Sequence, residues 1–109
     1  MSETVEKRLV RIAELEIELM HLDAYLTLLK EEIEASIRLE VGVISLYAVS
    51  IKGKPNLIRL FEIYASQSAY ESHIKSKHFM NYKLGTQKMV KSLNLIETEP
   101  LLLGTKGLA

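Results

Sequence analysis

Glu62 sits in the middle of an apolar segment, Leu60-Phe61-Glu62-Ile63-Tyr64, and a histidine, His73, follows on the next element. A carboxylate in a core strand is expensive unless it is paired, protonated or used. A histidine with an ordinary pKa of ~6.5 accepts a proton near neutrality, and an adjacent carboxylate fixes its tautomer and raises its basicity. His73 as a base oriented by Glu62 is therefore the acid–base pair these residues predict. Tyr64, Tyr47, Tyr25 and Tyr82 could add phenolic donors to a mostly apolar pocket. The plainer alternative is that Glu62 serves as a structural partner of Arg59 or Arg11 and His73 as a satisfied core residue.

Other chemistries lack material. There is no cysteine, so no disulfide, thiol nucleophile or thiolate metal site is possible, and Asp23 is the sole aspartate. No glycine-rich phosphate loop, nucleophile elbow or dinucleotide fingerprint is present. On a continuous helix His73 and His78 would stand ~140° apart, unlike the i,i+3 or i,i+4 pairs that share a metal. His21 is distant in sequence, so no metal site and no cofactor are expected.

The elements that must position the pair follow from periodicity. Leu9 to Ile17 alternates and reads as a strand, with Leu9, Arg11, Ala13, Leu15 and Ile17 on one side. Leu22, Tyr25, Leu26, Leu29, Ile33 and Ile37 follow helical spacing, with Lys30, Glu31, Glu32 and Glu34 off that face, and the helix ends near Gly42. Val43 to Ile51 and Leu57 to Ala65 form a hairpin across Gly53-Lys54-Pro55-Asn56. Ser66 or Ser68 caps a second helix, with Ser68 and Glu71 at capping-box spacing. That helix breaks near Ser76 and continues to about residue 93 through Phe79, Tyr82, Met89, Val90 and Leu93. A last strand covers roughly Leu95 to Leu103, with Pro100 marking an edge or bulge.

The order β-α-β-β-α-β predicts an α+β, ferredoxin-like fold: a four-stranded antiparallel sheet with helices on one face. The 109 residues make one domain, with its core at about 8–103. The hairpin strands are apolar on both faces: Ile58, Leu60 and Tyr64 on one, Leu57, Phe61 and Ile63 on the other. Helices explain one face, and a second copy of the sheet would cover the other, predicting a homodimer with twofold symmetry.

Fourteen basic and fourteen acidic residues balance, and no basic cluster is interleaved with aromatics, so neither nucleic acid nor a membrane is an expected partner. Locally, Val10 to Glu40 holds three basic and eight acidic residues, whereas Glu71 to Lys91 holds five lysines and one glutamate. The lysine-rich stretch reads as a solvated helix face or an attractor of anionic ligands. The polar start and the lack of any run near ~18 apolar residues predict a cytoplasmic protein.

Three short motifs, in order, resemble the antibiotic-biosynthesis-monooxygenase family over about Arg8 to Leu103. Glu40-Val41-Gly42 resembles the Glu-Pro-Gly that ends that family's first helix, with Val41 where proline is usual. Phe61-Glu62-Ile63-Tyr64, then Ala69-Tyr70, His73 and His78-Phe79, resemble its central signature, nearest the quinol monooxygenase branch. The resemblance implies a dimeric α/β barrel with a pocket between helices and sheet, lined by Glu62, Tyr64 and His73, with His78 as a second motif histidine. It also implies activities ranging from metal- and flavin-free oxidation of quinols or phenolic polyketides by O₂, through haem degradation, to isomerisation of a phosphorylated sugar. The absence of tryptophan weighs against the polyketide and haem activities.

The leading expectation is cofactor-free oxygenation of a quinol or phenol by molecular oxygen: His73 removes the hydroxyl proton, Glu62 orients it, and Tyr64 and Tyr47 orient the ring. Isomerisation of a small carbonyl or sugar-phosphate compound, with Lys75, Lys77 or Lys83 holding the phosphate, is the second. A non-catalytic dimeric domain that binds a small ligand is the third.

Overall fold

A computed structural model describes residues 7–106. Strand β1 (Leu9–Ile17) leads through a short 3-10 turn into helix α1 (Leu22–Leu39), followed by β2 (Val43–Ile51), β3 (Lys54–Tyr64), α2 (Gln67–Ile74), α3 (Lys77–Thr86) and β4 (Val90–Glu97). The strands form one sheet of order β2-β3-β1-β4, with every pair antiparallel. The fold is the ferredoxin-like α+β arrangement that the element order predicts.

Register fixes which side chains meet. Arg11 pairs with Glu62 and Glu97, Ala13 with Leu60 and Leu95, and Leu15 with Ile58 and Leu93. Because faces alternate along a strand, these rows share the side under the helices. There Ala13, Leu15, Ile17 and Ile58 pack against Tyr25 and Leu29 of α1 to form the buried core. The next row, Ile12, Tyr47, Phe61 and Ile96, belongs to the opposite face.

Three boundaries differ from the pattern-based expectation. The β2–β3 turn is tighter, because Ile51 already pairs with Lys54 and Gly53 takes φ 82°, a left-handed conformation that glycine adopts freely. Pro55 then lies within β3, beyond the last β1–β3 pair at Leu57, where its missing N–H interrupts no ladder with β1. Helix α3 stops at Thr86 instead of reaching residue 93. Met89, Val90 and Leu93 mimic helical spacing, but Leu93 and Leu95 belong to β4, and Pro100 lies past that strand's end. Helix α1 is also rotated from its expected face. Its buried stripe is Tyr25, Leu29, Glu32 and Ser36, whereas Leu26 and Ile37 are exposed.

Ser66 is the cap of α2, its hydroxyl accepting from the Ala69 N–H at 3.1 Å. Ser68 forms no capping box; Glu71 accepts from Gln67 Nε2 instead. The start of α2 comes very close to the turn before β2: a Cβ built at Gly42 would lie 2.6 Å from Ala69 Cβ. Substituting Gly42→Ala should therefore cost about 1–3 kcal/mol in urea unfolding. Ala69→Gly in the same chain should recover part of that loss, and strictly additive effects in the double-mutant cycle would contradict the contact.

Candidate active site

Ser76 divides the second helical region and thereby sets the site. Its hydroxyl donates to the His73 carbonyl at 2.7 Å and accepts from the Phe79 N–H at 3.2 Å, ending α2 and capping α3 with one side chain. The chain turns there, so the angle expected between His73 and His78 on a continuous helix does not apply. Both imidazoles reach the carboxylate of Glu40, the residue that caps the C-terminus of α1. Glu40 Oε2 accepts from His73 Nδ1 at 2.9 Å and from His78 Nε2 at 2.6 Å.

The other nitrogen of His73 is occupied as well: Nε2 lies 3.2 Å from Glu32 Oε1. Ser36, one turn along α1, donates to the same Glu32 oxygen at 3.0 Å. His73 is only 3% exposed, so its ring is held inside the protein between two carboxylates. Burial alone would lower its pKa, but hydrogen bonds and charge from Glu32 and Glu40 outweigh that and raise it. Burial would raise the Glu40 pKa, yet the hydrogen bonds from His73 and His78, reinforced by their charge, bring it below the ordinary 4.5.

This geometry corrects the expected pairing. Glu62 does not orient His73; its Oε1 accepts from the Tyr64 hydroxyl at 2.9 Å. Nor does His73 offer a free lone pair to a substrate, since each ring nitrogen already faces a carboxylate. Glu62, Tyr64, His73 and Tyr82 do line one cavity of about 550 Å³ between the sheet and α2–α3, with Phe79 and Tyr70 beside them. Burial raises the Glu62 pKa above 4.5, only partly offset by the Tyr64 hydrogen bond and the nearby His73 charge. Burial, with the Glu62 carboxylate next, pushes the Tyr64 phenol up, and burial pushes Tyr82 up to about 12.

The remaining expected site residues fall elsewhere. Tyr25 is fully buried behind Tyr82, their hydroxyls 2.6 Å apart, and takes no part in the cavity lining. Tyr47 pairs with Phe61 on the parity of the opposite sheet face and is 58% exposed, yet it borders a small void that Glu32, Glu62, Tyr64, His73 and Tyr82 also line. His78 stands behind His73 on Glu40. Of the three lysines considered for a phosphate, Lys83 lines the cavity and Lys75 and Lys77 do not. Arg11, which sequence assigned only a structural role, also lines it and stacks its guanidinium 4.7 Å over the Tyr70 ring. Glu32 and Glu40 were missed as functional partners. The 25-29-32-36 spacing on α1 carried the signal for Glu32, but the charged run Lys30-Glu31-Glu32 masked it.

Among known proteins, residues 8–83 match the antibiotic biosynthesis monooxygenase (ABM) family, and the chain belongs to it. A comparison with curated proteins finds no match. A proposed antibiotic biosynthesis monooxygenase from Bacteroides thetaiotaomicron VPI-5482 is 47% identical over 96% of this chain and all of its own, with a TM-score of 0.90. A monooxygenase-like protein from Fusobacterium nucleatum is 21% identical with a TM-score of 0.88, and another from Lactobacillus acidophilus NCFM is 24% identical with 0.80; these two share the fold. The chain covers 97% and 86% of itself in those alignments but spans only 48% and 45% of the two longer proteins. Family and fold together support a general monooxygenase-like function. No helix among the described residues is long and apolar enough to cross a membrane.

The charge cluster dictates a pH profile for stability. His73, with a raised pKa, contributes stability that is complete below its ordinary 6.5 and lost as pH rises through the folded value. Glu40, with a lowered pKa, contributes above 4.5 and loses that contribution as pH falls through its folded value. The raised pKa of Glu62 adds a decline that begins near 4.5 and runs up to its folded value, because the folded state holds that proton longer, so it pulls the maximum toward the acid end of the window. Thermal unfolding in metal-free buffer should therefore show its highest Tm between about pH 4.5 and 6.5, and Glu40→Gln should flatten the acid limb. A Tm that is level from pH 5 to 8.5 would contradict this account.

Proposed function

We propose that this protein is a cofactor-independent monooxygenase of a quinol or related phenol, with Glu62 as the proton acceptor. The observation that carries this reading is the Glu62 carboxyl itself: its proton affinity is raised by burial, and it faces a cavity walled by Tyr64, Phe79 and Tyr82. A phenol of pKa ~10 donates an electron to O₂ far more readily as its anion. Glu62 takes the hydroxyl proton, while Tyr64 holds one carboxylate oxygen and leaves the other for the substrate. The cavity, at about 550 Å³, has room for a one- or two-ring aromatic, and its apolar walls keep the radical pair together.

The reaction balances without an external reductant. The anion passes one electron to O₂, and the phenoxyl radical and superoxide join through a new carbon–oxygen bond. The ring peroxide takes a proton. Its O–O bond then breaks as the hydrogen on the same carbon leaves, releasing water and a carbonyl. One hydroquinone and one O₂ thus give one hydroxyquinone and one water. His73, fixed by two carboxylates, supplies a rigid cavity wall beside Tyr64 and Phe79. The exposed apolar residues Tyr47, Val49 and Phe61 on the open sheet face support a homodimer packed sheet to sheet.

Oxygen uptake with a panel of quinols tests this reading. Glu62→Gln should lower kcat at least about 100-fold, the scale of a lost general base. In the unaltered protein the rate should climb with pH through the raised Glu62 pKa, because the carboxylate is the active form. Turnover in Glu62→Gln within threefold of the parent, or uptake no faster than autoxidation, would refute it. The cations Arg11, Lys83 and Lys91 in the cavity favour a second reading, isomerisation of a phosphorylated carbonyl compound. That reaction would proceed without O₂ and carry solvent deuterium into the product.

A further inference from the structure

We propose that Glu40, His73 and His78 form a binding site for a first-row divalent transition-metal ion, with zinc as the best-matched occupant. Their donor atoms, Glu40 Oε2, His73 Nδ1 and His78 Nε2, lie within 4.8 Å of one another. Two ligands on a tetrahedral zinc stand about 3.4 Å apart, so the 2.6 and 2.9 Å separations need to open by less than about 1 Å. Two imidazoles and one carboxylate suit zinc, cobalt, nickel or ferrous iron. They do not suit calcium or magnesium, which take oxygen ligands, or cuprous copper, which prefers sulfur.

The surroundings supply an independent argument. A histidine that binds metal through Nδ1 must carry its proton on Nε2, and metal sites commonly fix that tautomer with an outer carboxylate. Glu32 stands in that place, 3.2 Å from His73 Nε2, and is itself 6% exposed and held by Ser36. Glu40 and His78 keep 15% and 17% of their side chains exposed, so an ion can enter from solvent and retain open positions for water. The three ligands come from the end of α1, the last turn of α2 and the first turn of α3. A bound ion would clip these elements together directly behind the cavity wall formed by His73. This site is separate from the Glu62 chemistry and does not depend on it.

The test uses the full-length, untagged protein, stripped with chelator and titrated with Zn²⁺ and, separately, Co²⁺. One equivalent should bind, Zn²⁺ should raise Tm by at least about 5 °C at saturation, and Co²⁺ should develop visible d–d absorption. His78→Ala, a partly exposed position, and Glu40→Gln should each weaken binding at least tenfold and remove the Co²⁺ band. Glu32→Gln should weaken it about 10- to 100-fold while keeping the band. Absence of both the Tm rise and the Co²⁺ band would overturn the proposal. So would binding that His78→Ala and Glu40→Gln leave unchanged, which would place the ion elsewhere.

Discussion

A single imidazole held between two carboxylates organises this molecule. Both partners of His73 come from α1: Glu32 from its buried stripe, Glu40 from its C-terminal end. The histidine itself belongs to α2, so the contact fixes how the two helices meet over the sheet. A buried ion pair of this kind is costly to desolvate, and removing one member leaves the other uncompensated. Here the cost is spread, since Ser36 satisfies Glu32 further and His78 satisfies Glu40. Among the described residues no buried side-chain polar atom is left without a partner.

That arrangement divides the interior into two chemical zones. On one side of the His73 ring the carboxylates, Ser36 and His78 form a charged cluster reaching the surface. On the other side the ring, with Phe79, Tyr64 and Tyr82, walls an apolar cavity in which Glu62 is the acidic group. Both zones need the turn at Ser76. A continuous helix would carry His78 away from Glu40 and move Phe79 out of contact with His73, whose ring centroid it now approaches to 5.1 Å.

The fold was readable in the sequence because alternation marked β1, helical spacing marked α1, and β-branched composition with turn chemistry at Gly53-Lys54-Pro55-Asn56 marked the β2–β3 hairpin. The boundary at α3 and β4 was not, since Met89, Val90 and Leu93 satisfy a helical period although Met89 lies in the turn and Val90 and Leu93 pair as a strand. Glu62 and His73 were legible as residues of one cavity, but their partners were misassigned. Strand alternation shows which face a carboxylate occupies; it cannot show which carboxylate reaches a histidine from a helix packed across that face. Glu32 escaped notice because it lies in a run of charged residues, although its spacing from Leu29 and Ser36 is that of a buried stripe. Residue type alone does not separate Tyr25 from Tyr47: packing puts Tyr25 in the core, and register puts Tyr47 on the far face, at the edge of a small void that Glu62 and His73 also line.

The strand order has a consequence for how the chain acquires this form. β1, made before the other described strands, lies between β3 and β4, and its first residue pairs with Tyr64 while its last pairs with Val90. Until those later segments exist, the central strand has an unpaired ladder on both edges, and α1 has only a fragment of sheet to cover. Long-range pairings of this kind close slowly, because chain entropy is lost before contacts repay it. Neither half of the described chain carries a complete core, so the central strand is satisfied on both edges only when β3 and β4 are both in place.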